Sequence, residues 1–286
     1  MPTLDLDKLK AHRARTFNLA PHKALTSPAQ ALDFVNARGF IYFWPIKGID
    51  FPSLWGAVAG DRPVADEHDD PGHVTWRWKD NLLGTKKWYY AKVLRKRATI
   101  ISNRILPYFY ALSNNYGSPE EDHLILYEQG KLSIEEKSVY DALLREGPLD
   151  TIALKNAAHL SSTQSNSRFD RAITNLQADF KIMPVGVADA GSWHYAFIYD
   201  IVTRHLPDIL DKTAYIDEAK AREELLRNYF LSLGGASLDD AIKLFHWRLD
   251  ETRKSLDLLV RAGFLTQLDR TEFDKDGKFI LTSMIN

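Results

Sequence analysis

Residues 162–200 read STQSNSRFDRAITNLQADFKIMPVGVADAGSWHYAFIYD, and the interpretation of the whole chain starts from them. Apolar residues in the first half recur at the i, i+3, i+4 and i+7 spacing of one helix face: Phe169, Ala172, Ile173 and Leu176. Polar residues occupy the opposite face: Gln164, Ser167, Arg171, Thr174 and Asn175. Two β-prone runs follow, at 180–187 and 193–199, and the glycine-containing turn between them predicts a β-hairpin. The stretch is therefore predicted to be a helix with an exposed polar face, followed by a hairpin.

Two further helices are predicted immediately upstream, at Ile134–Arg145 and Thr151–Ala158. The order of two helices, a polar-faced helix and a hairpin is typical of a winged helix, a helix-turn-helix relative that commonly sets its third helix in the DNA major groove. The same order repeats downstream, which indicates a second such unit. Its predicted elements are helices at Glu218–Leu233, Ser237–Phe245 and Leu249–Ala262 and strands at Phe264–Leu268 and Lys278–Leu281, with a charged turn at Asp269–Gly277.

The N-terminal part is predicted to form a related module after an arm at Met1–Thr26. Ser27 and Pro28 begin a helix that ends at Arg38, because they match the N-cap and first-turn preferences of helices. The aromatic run 40–44 predicts a buried strand, and a short helix is predicted at 52–60.

The segment Val74–Arg104 concentrates positive charge, with nine Lys and Arg residues against one acid. Its part Thr85–Ile101 is predicted to be a helix whose outward side carries cations beside Trp88 and Tyr89. Such cations can neutralise phosphates, and exposed aromatic rings can stack on bases. The alternative is a solvated basic face beside ordinary core aromatics. Together with the polar face of the central helix, this segment supplies the candidate DNA contacts: Arg77, Lys86, Lys87, Trp88, Tyr89, Lys92, Arg95, Lys96, Gln164, Arg168, Arg171 and Asn175.

Composition narrows the classes of protein to consider. The 286 residues leave room for two or three small domains, and a hydrophobic content of 45% predicts packed interiors. The chain has no cysteine, which excludes disulfides and thiolate metal sites. No apolar run approaches the ~20 residues of a membrane-spanning helix. We therefore expect a cytoplasmic protein that does not associate with a membrane.

Metal binding is considered for the acidic loop Asp61–Gly72, because hard cations take oxygen ligands. The loop lacks the spacing of an EF-hand or a zincin, so a solvated loop is the preferred interpretation. The histidines elsewhere lie in different units and are predicted to be structural: His159, His194, His205 and His246. Neither a metal nor another cofactor is expected.

The fold class predicted from these patterns is mainly α with small antiparallel β-hairpins, arranged as a tandem winged-helix array. An N-terminal arm is expected at 1–26, and a winged-helix-like module with the basic and aromatic segment at 27–115. A central winged helix is expected at 123–212 and a C-terminal one at 213–286. No dimerisation helix is evident, so a monomer that binds double-stranded DNA is expected.

Three features resemble a known family. They are the aromatic strand followed by Pro45-Ile46, the run Tyr199–Pro207 after the second hairpin strand, and the helix pair Ala221–Phe245 with its central Gly-Gly. Together they resemble the AlkZ/YcaQ-related winged-helix DNA glycosylases, which remove damaged bases and unhook interstrand crosslinks. The resemblance covers most of Pro28–Leu268 and implies tandem winged helices that contact damaged or distorted duplex DNA.

The resemblance breaks down at the catalytic motif. In that family, the matching strand carries Gln-x-Gln or Gln-x-Asp, whereas the matching positions here are Tyr42 and Trp44. Neither side chain can act as the carboxylate that activates water at neutral pH. Alternate side chains of a strand share a face, so Tyr42 and Trp44 are predicted to form a base-stacking or wedging surface. Asp50 and Asp80 are candidate replacement carboxylates, although ordinary turn or capping aspartates are the preferred interpretation.

The sequence therefore predicts a divergent branch of this family that binds damaged or distorted duplex DNA without excising a base. Two alternatives stay open. One is an active DNA glycosylase that uses a relocated carboxylate, and the other is a winged-helix transcriptional regulator, which usually dimerises on a two-fold operator.

Overall fold

The computed structural model describes residues 5–191, 194–268 and 277–285. Within these ranges the chain is mainly helical, with three small antiparallel sheets. The helices are α1 (Leu6–Thr16), α2 (Pro28–Arg38), α3 (Leu54–Ala59), α4 (Val74–Leu82), α5 (Leu106–Tyr110), α6 (Asp122–Glu128), α7 (Ile134–Glu146), α8 (Thr151–Ala157), α9 (Asn166–Ala178), α10 (Val202–His205), α11 (Ile209–Thr213), α12 (Glu218–Leu233), α13 (Leu238–Phe245) and α14 (Leu249–Arg261). The strands are β1 (Phe40–Tyr42), β2 (Trp88–Lys92), β3 (Ala98–Ser102), β4 (Leu149–Asp150), β5 (Ile182–Ala188), β6 (Ala196–Ile201), β7 (Gly235–Ser237), β8 (Leu265–Gln267) and β9 (Lys278–Leu281).

Three units share one order of elements: helix, strand, helix, helix, strand, strand. Unit 1 is α2-β1-α3-α4-β2-β3, unit 2 is α7-β4-α8-α9-β5-β6, and unit 3 is α12-β7-α13-α14-β8-β9. In each sheet the last strand lies between the other two, so the first strand pairs with one edge of the terminal hairpin. We call the β2–β3 hairpin wing 1 and the β5–β6 hairpin wing 2. The predicted fold class, a tandem winged-helix array, is confirmed.

Unit 2 forms where its local signals predict. Ser133 and Glu136 make a reciprocal capping box at the start of α7, and Gly147 ends that helix with φ +83°. The Asp150 carboxylate caps α8 by accepting two backbone N–H groups. The apolar stripe predicted for α9 is buried, as its helical spacing requires. Its members are Phe169, Ala172, Ile173 and Leu176.

The helix predicted at Thr85–Ile101 is wrong, because wing 1 occupies this segment. Aromatic and β-branched residues dominate both halves of the segment, and they favour a pleated, half-buried strand over a helix. Arg95 and Lys96 both have positive φ, and the Arg97 N–H donates to the Leu94 carbonyl at 3.0 Å, which closes a tight turn. The third helix of unit 1 is therefore α4, which begins earlier, at Val74.

The units pack directly against one another. Helix α12 contacts α2 and α5, and the turn of wing 1 contacts both α9 and α13. Helix α1, within the predicted N-terminal arm, covers the end of α12: the Thr16 hydroxyl donates to the Ser232 carbonyl at 2.6 Å, and Arg13 Nε donates to the Leu233 carbonyl at 3.0 Å. The turn of wing 1 therefore lies where all three units meet.

The predicted N-terminal arm begins outside the described residues, which start at residue 5. Two further predicted features fall partly outside them. These are the start of the second strand of wing 2, at Trp193, and the charged turn Asp269–Gly277 except for its last residue. Among the residues that are described, no helix combines the length and the apolar character needed to cross a bilayer.

Candidate nucleic-acid interface

Helix α4 carries an exposed face beside the end of β1. Trp78 and Leu82 are buried in the core of unit 1, whereas Trp76 and Arg77 face solvent and the Trp76 side chain is 36% exposed. The half-buried Trp44 ring lies 5.4 Å from the Trp76 ring, centroid to centroid. We call these two rings the Trp44/Trp76 platform. It presents aromatic surface to solvent on the helix that also carries the exposed Arg77.

A buried lysine supports the platform from below. Lys79 is 1% exposed, and its ammonium lies 4.7 Å from the Trp76 ring centroid and 4.5 Å from that of Phe197. It donates to Tyr195 Oη at 2.8 Å and pairs with the Asp80 carboxylate at 2.9 Å. Burial lowers the pKa of Lys79, and the hydrogen bond and charge of Asp80 oppose that shift. Lys79 therefore joins α4 to wing 2 through one polar cluster inside an aromatic cage.

Asp80, one of the two candidate carboxylates, belongs to this cluster. The same carboxylate oxygen takes the Lys79 ion pair and a hydrogen bond from Tyr195 Oη at 2.9 Å. Burial, followed by the charge of Asp80, raises the pKa of Tyr195, so this hydroxyl stays protonated as the donor. Asp80 thus lies close to the platform, with its carboxylate held by two neighbours.

Asp50, the other candidate, lies elsewhere. Its exposed carboxylate pairs with Arg13 Nη1 on α1, and the same guanidinium donates to the Gly235 carbonyl at 2.9 Å. Asp50 also lines a cavity of about 390 Å³ between α1 and unit 3, together with Tyr229 and Asp240. The structure therefore does not bring the two candidate carboxylates into one site.

Tyr42 is not part of the platform, and its predicted stacking role is wrong. Its side chain is fully buried, its ring packs 6.1 Å from that of Phe51, and burial raises the pKa of its hydroxyl. Strand β1 ends at Tyr42 and the chain then bends, so the alternation that would place Trp44 on the same face does not continue. Tyr42 lies in the core shared with unit 3, whereas Trp44 packs on the opposite side, beside Phe43.

Trp88 and Tyr89 are also buried, at 3% and 0% exposure, so their predicted outward position is wrong. In a strand the two side chains point to opposite faces, and each face of the unit 1 sheet is covered by a core. Trp88 lies in the core of unit 1, and Tyr89 stacks on Phe180 of unit 2 with ring centroids 5.3 Å apart. Neither ring is available to a base.

The cations near the tip of wing 1 donate hydrogen bonds to other units, because the turn of wing 1 contacts α9 and α13. Lys92 Nζ donates to Thr174 Oγ1 at 3.3 Å, and Lys96 Nζ donates to Asn175 Oδ1 at 2.6 Å, both on α9. Arg95 Nη1 donates to the Lys243 carbonyl of α13 at 2.7 Å. All three cations are exposed, as expected, and each also donates a hydrogen bond to another unit, which the sequence did not indicate. They cover the second half of the α9 polar face.

The first half of that face stays open. Gln164, Arg168 and Arg171 are exposed, although Arg168 pairs with Glu135 at 3.1 Å, and Asn175 also donates to Glu136. Four of the predicted contacts are exposed cations whose side chains make no hydrogen bond or ion pair with any described residue. They are Arg77, Lys86, Lys87 and Arg171.

Sequence reasoning missed the roles of Trp76, Lys79 and Tyr195. The run Trp76-Arg77-Trp78-Lys79 did contain a usable signal, because positions i and i+3 share a helix face and would pair Trp76 with Lys79. Nothing local in the sequence indicates that Tyr195, more than a hundred residues away, completes the cluster.

Comparison with known proteins gives two matches. The sequence model of the family described as AlkZ related matches residues 25–246. The solved structure of the DNA glycosylase AlkZ from Streptomyces sahachiroi superposes on 99% of this chain and 71% of its own length, with a TM-score of 0.56 and 12% sequence identity. At that identity the likeness concerns the fold alone. No curated protein matches the sequence.

Proposed function

Because the chain belongs to the AlkZ-related family, we propose that it binds damaged or distorted double-stranded DNA and leaves the N-glycosidic bond intact. The observation that carries this proposal is the Trp44/Trp76 platform beside Arg77 on α4, the third helix of a winged-helix unit. Third helices of this fold commonly enter the major groove. An aromatic platform at that place fits a duplex whose stacking is already disturbed.

In this proposal, one set of residues provides affinity for DNA and another provides the preference for distorted duplex. Arg77, Lys86, Lys87 and Arg171 contact phosphates, which gives affinity without sequence preference. Trp44 and Trp76 stack on an opened base step. This favours distorted duplex, because its bases are already unstacked, whereas intact duplex must first pay the free energy of unstacking. The buried ammonium of Lys79 fixes the orientation of Trp76 and so keeps the platform in place.

The absence of base excision rests on the chemistry of the matching motif. A glycosylase needs polar groups near the sugar to stabilise an oxocarbenium-like transition state and activate water. Tyr42, at one of the two motif positions, is enclosed by core side chains, and Trp44, at the other, has no ionisable group. The ion pairs of Asp50 with Arg13 and of Asp80 with Lys79 further support the proposal, because both carboxylates already have protein partners.

Replacing Trp76 with alanine is expected to reduce the preference for distorted over intact duplex at least about fivefold, since one base–aromatic stack contributes ~1–3 kcal/mol. Trp44→Ala should act in the same direction. The measurement is fluorescence anisotropy with matched duplexes that do and do not contain a mismatch bubble. Tyr215→Ala is the control, because Tyr215 is 93% exposed and belongs to none of the third helices or wings. An unchanged preference in both tryptophan variants would refute the stacking role.

A relocated carboxylate is the second candidate function, and one observation favours it. Asp80 lies one helical turn from Trp76, and its carboxylate pairs with Lys79, whose ammonium lies 4.7 Å from the Trp76 ring centroid. If a flipped sugar displaced Lys79 or Tyr195, Asp80 could act beside it. This alternative predicts base release that depends on Asp80.

A further inference from the structure

A cleft of about 460 Å³ opens at the junction of the three units, and none of the contacts proposed above uses it. Its walls come from the turn of wing 1, the connection after α5, the end of α9 and the connection between α13 and α14. This volume lies within the ~300–1,000 Å³ that small-molecule sites usually occupy. We call it the junction cleft.

The backbone around the junction cleft is unusual. Eight described residues other than glycine have positive φ, and four of them line this cleft. They are Arg95, Lys96, Phe180 and His246, with φ of 54°, 56°, 55° and 62°. All four occupy tight turns or helix ends, where glycine or asparagine would be less strained. Strain of this kind is typical of ligand clamps, and here it brings two cations and two rings to one opening.

The lining combines an aromatic wall with unused cationic donors. Phe245 and the half-buried Trp247 stack with their ring centroids 4.2 Å apart and form one wall. Arg95 uses Nη1 for the Lys243 carbonyl and Lys96 uses one donor for Asn175, so both side chains retain N–H groups for a further acceptor. An anionic ligand with a planar aromatic part matches this combination.

Polar groups at the junction cleft can form hydrogen bonds with the edge of the ligand's aromatic part. The Asn114 side chain is exposed at the rim, and Asp179 lies at the end of α9. Burial raises the pKa of Asp179, and the charge of Lys181 opposes that shift. The rim thus offers both donors and acceptors.

We propose that the junction cleft binds a single nucleotide, with the base against the Phe245–Trp247 wall and the phosphate between Arg95 and Lys96. Two sources can supply this chemistry: a free mononucleotide or an unpaired nucleotide of bound DNA. For the second source only, the inference rests on the DNA binding proposed above.

The test titrates the full chain into 2-aminopurine deoxyriboside 5′-monophosphate and follows fluorescence anisotropy. Wild type should bind saturably, and Trp247→Leu should weaken binding at least about fivefold, the lower end of what one base–aromatic contact contributes. Asn114→Leu narrows the rim without changing the aromatic wall and should also weaken binding. Tyr215→Leu is the matched control and should bind like wild type, because Tyr215 is exposed and lines neither the junction cleft nor the Trp44/Trp76 platform. Saturable binding that Trp247→Leu and Asn114→Leu leave unchanged, or no saturable binding at all, would overturn the proposal.

Competition between the probe and DNA duplexes then shows which source supplies the nucleotide. If the strand supplies the nucleotide, a duplex with a one-nucleotide bulge displaces the probe and the fully paired duplex does not. If a free nucleotide is the ligand, neither duplex displaces it. Both results support the site. Nucleotide binding without any duplex binding would retain the junction cleft and refute the proposed DNA-binding function, so the two proposals fail separately.

Discussion

Replacing Arg77 and Arg171 together with glutamate is expected to weaken duplex binding by about a hundredfold while leaving the melting temperature unchanged. Each reversal removes a phosphate contact and adds a repulsive charge, and each is taken to cost ~1–2 kcal/mol at moderate salt. Both residues are exposed on third helices, of unit 1 and unit 2, so their replacement leaves the cores intact. Anisotropy with a labelled duplex and a thermal melt by circular dichroism measure the two quantities.

A control with the same change in net charge is available in Lys131→Glu combined with Lys220→Glu. Both lysines are exposed, and they lie on neither a third helix nor a wing. The control pair should keep most of the affinity. If both double variants lose affinity equally, binding responds to net charge alone, and the proposed contact face is wrong.

Of the substitutions proposed here, truncation of Tyr42 is expected to lower the free energy of unfolding the most. Tyr42→Ala should lower the free energy of unfolding by about 3–5 kcal/mol, as for other large side chains removed from a packed core. Tyr42→Phe should change it by less than about 1 kcal/mol, because the buried hydroxyl has no hydrogen-bond partner among the described residues. Urea unfolding followed by circular dichroism compares both variants with wild type.

The same two variants also decide whether Tyr42 is a core residue or a residue that contacts DNA. If Tyr42→Ala folds as stably as wild type but loses its preference for distorted duplex, Tyr42 would be a stacking residue and the buried position would be contradicted. If Tyr42→Phe is as unstable as Tyr42→Ala, the hydroxyl has a structural partner that its surroundings do not indicate.

Much of the fold could be predicted from local patterns. The spacing of Phe169, Ala172, Ile173 and Leu176 specifies a helix face, and caps such as Ser133 and Gly147 specify helix ends, because these signals act within a few residues. Wing 1 was mispredicted because its apolar residues also fit a helical stripe. The aromatic and β-branched residues of the segment favour strands, and the pairing of β3 with β1, which places Tyr42 opposite Thr99, stabilises them, but that pairing is not local in sequence.

A residue of the candidate site could be predicted only where the spacing within one helix determines which side chains are exposed. Arg171 lies on the open face of α9, as its helical spacing predicts, whereas Arg77 is exposed on α4, a helix that the sequence patterns did not indicate. Lys92, Arg95 and Lys96 could not be assigned in the same way, because their partners on α9 and α13 are distant in sequence. The cluster of Lys79, Asp80 and Tyr195 depends on wing 2 docking against α4, and no periodicity reports on docking between units.

The most direct test of binding without excision incubates the protein with duplexes that carry an alkylated base or an interstrand crosslink. Abasic sites are counted under multiple-turnover conditions, and retention of the same duplex is measured in parallel. We predict that the modified duplex is retained more tightly than its unmodified counterpart and that no abasic sites accumulate above the protein-free rate. Release of the base over many turnovers, abolished by Asp80→Asn or Asp50→Asn, would contradict this prediction and identify a relocated catalytic carboxylate.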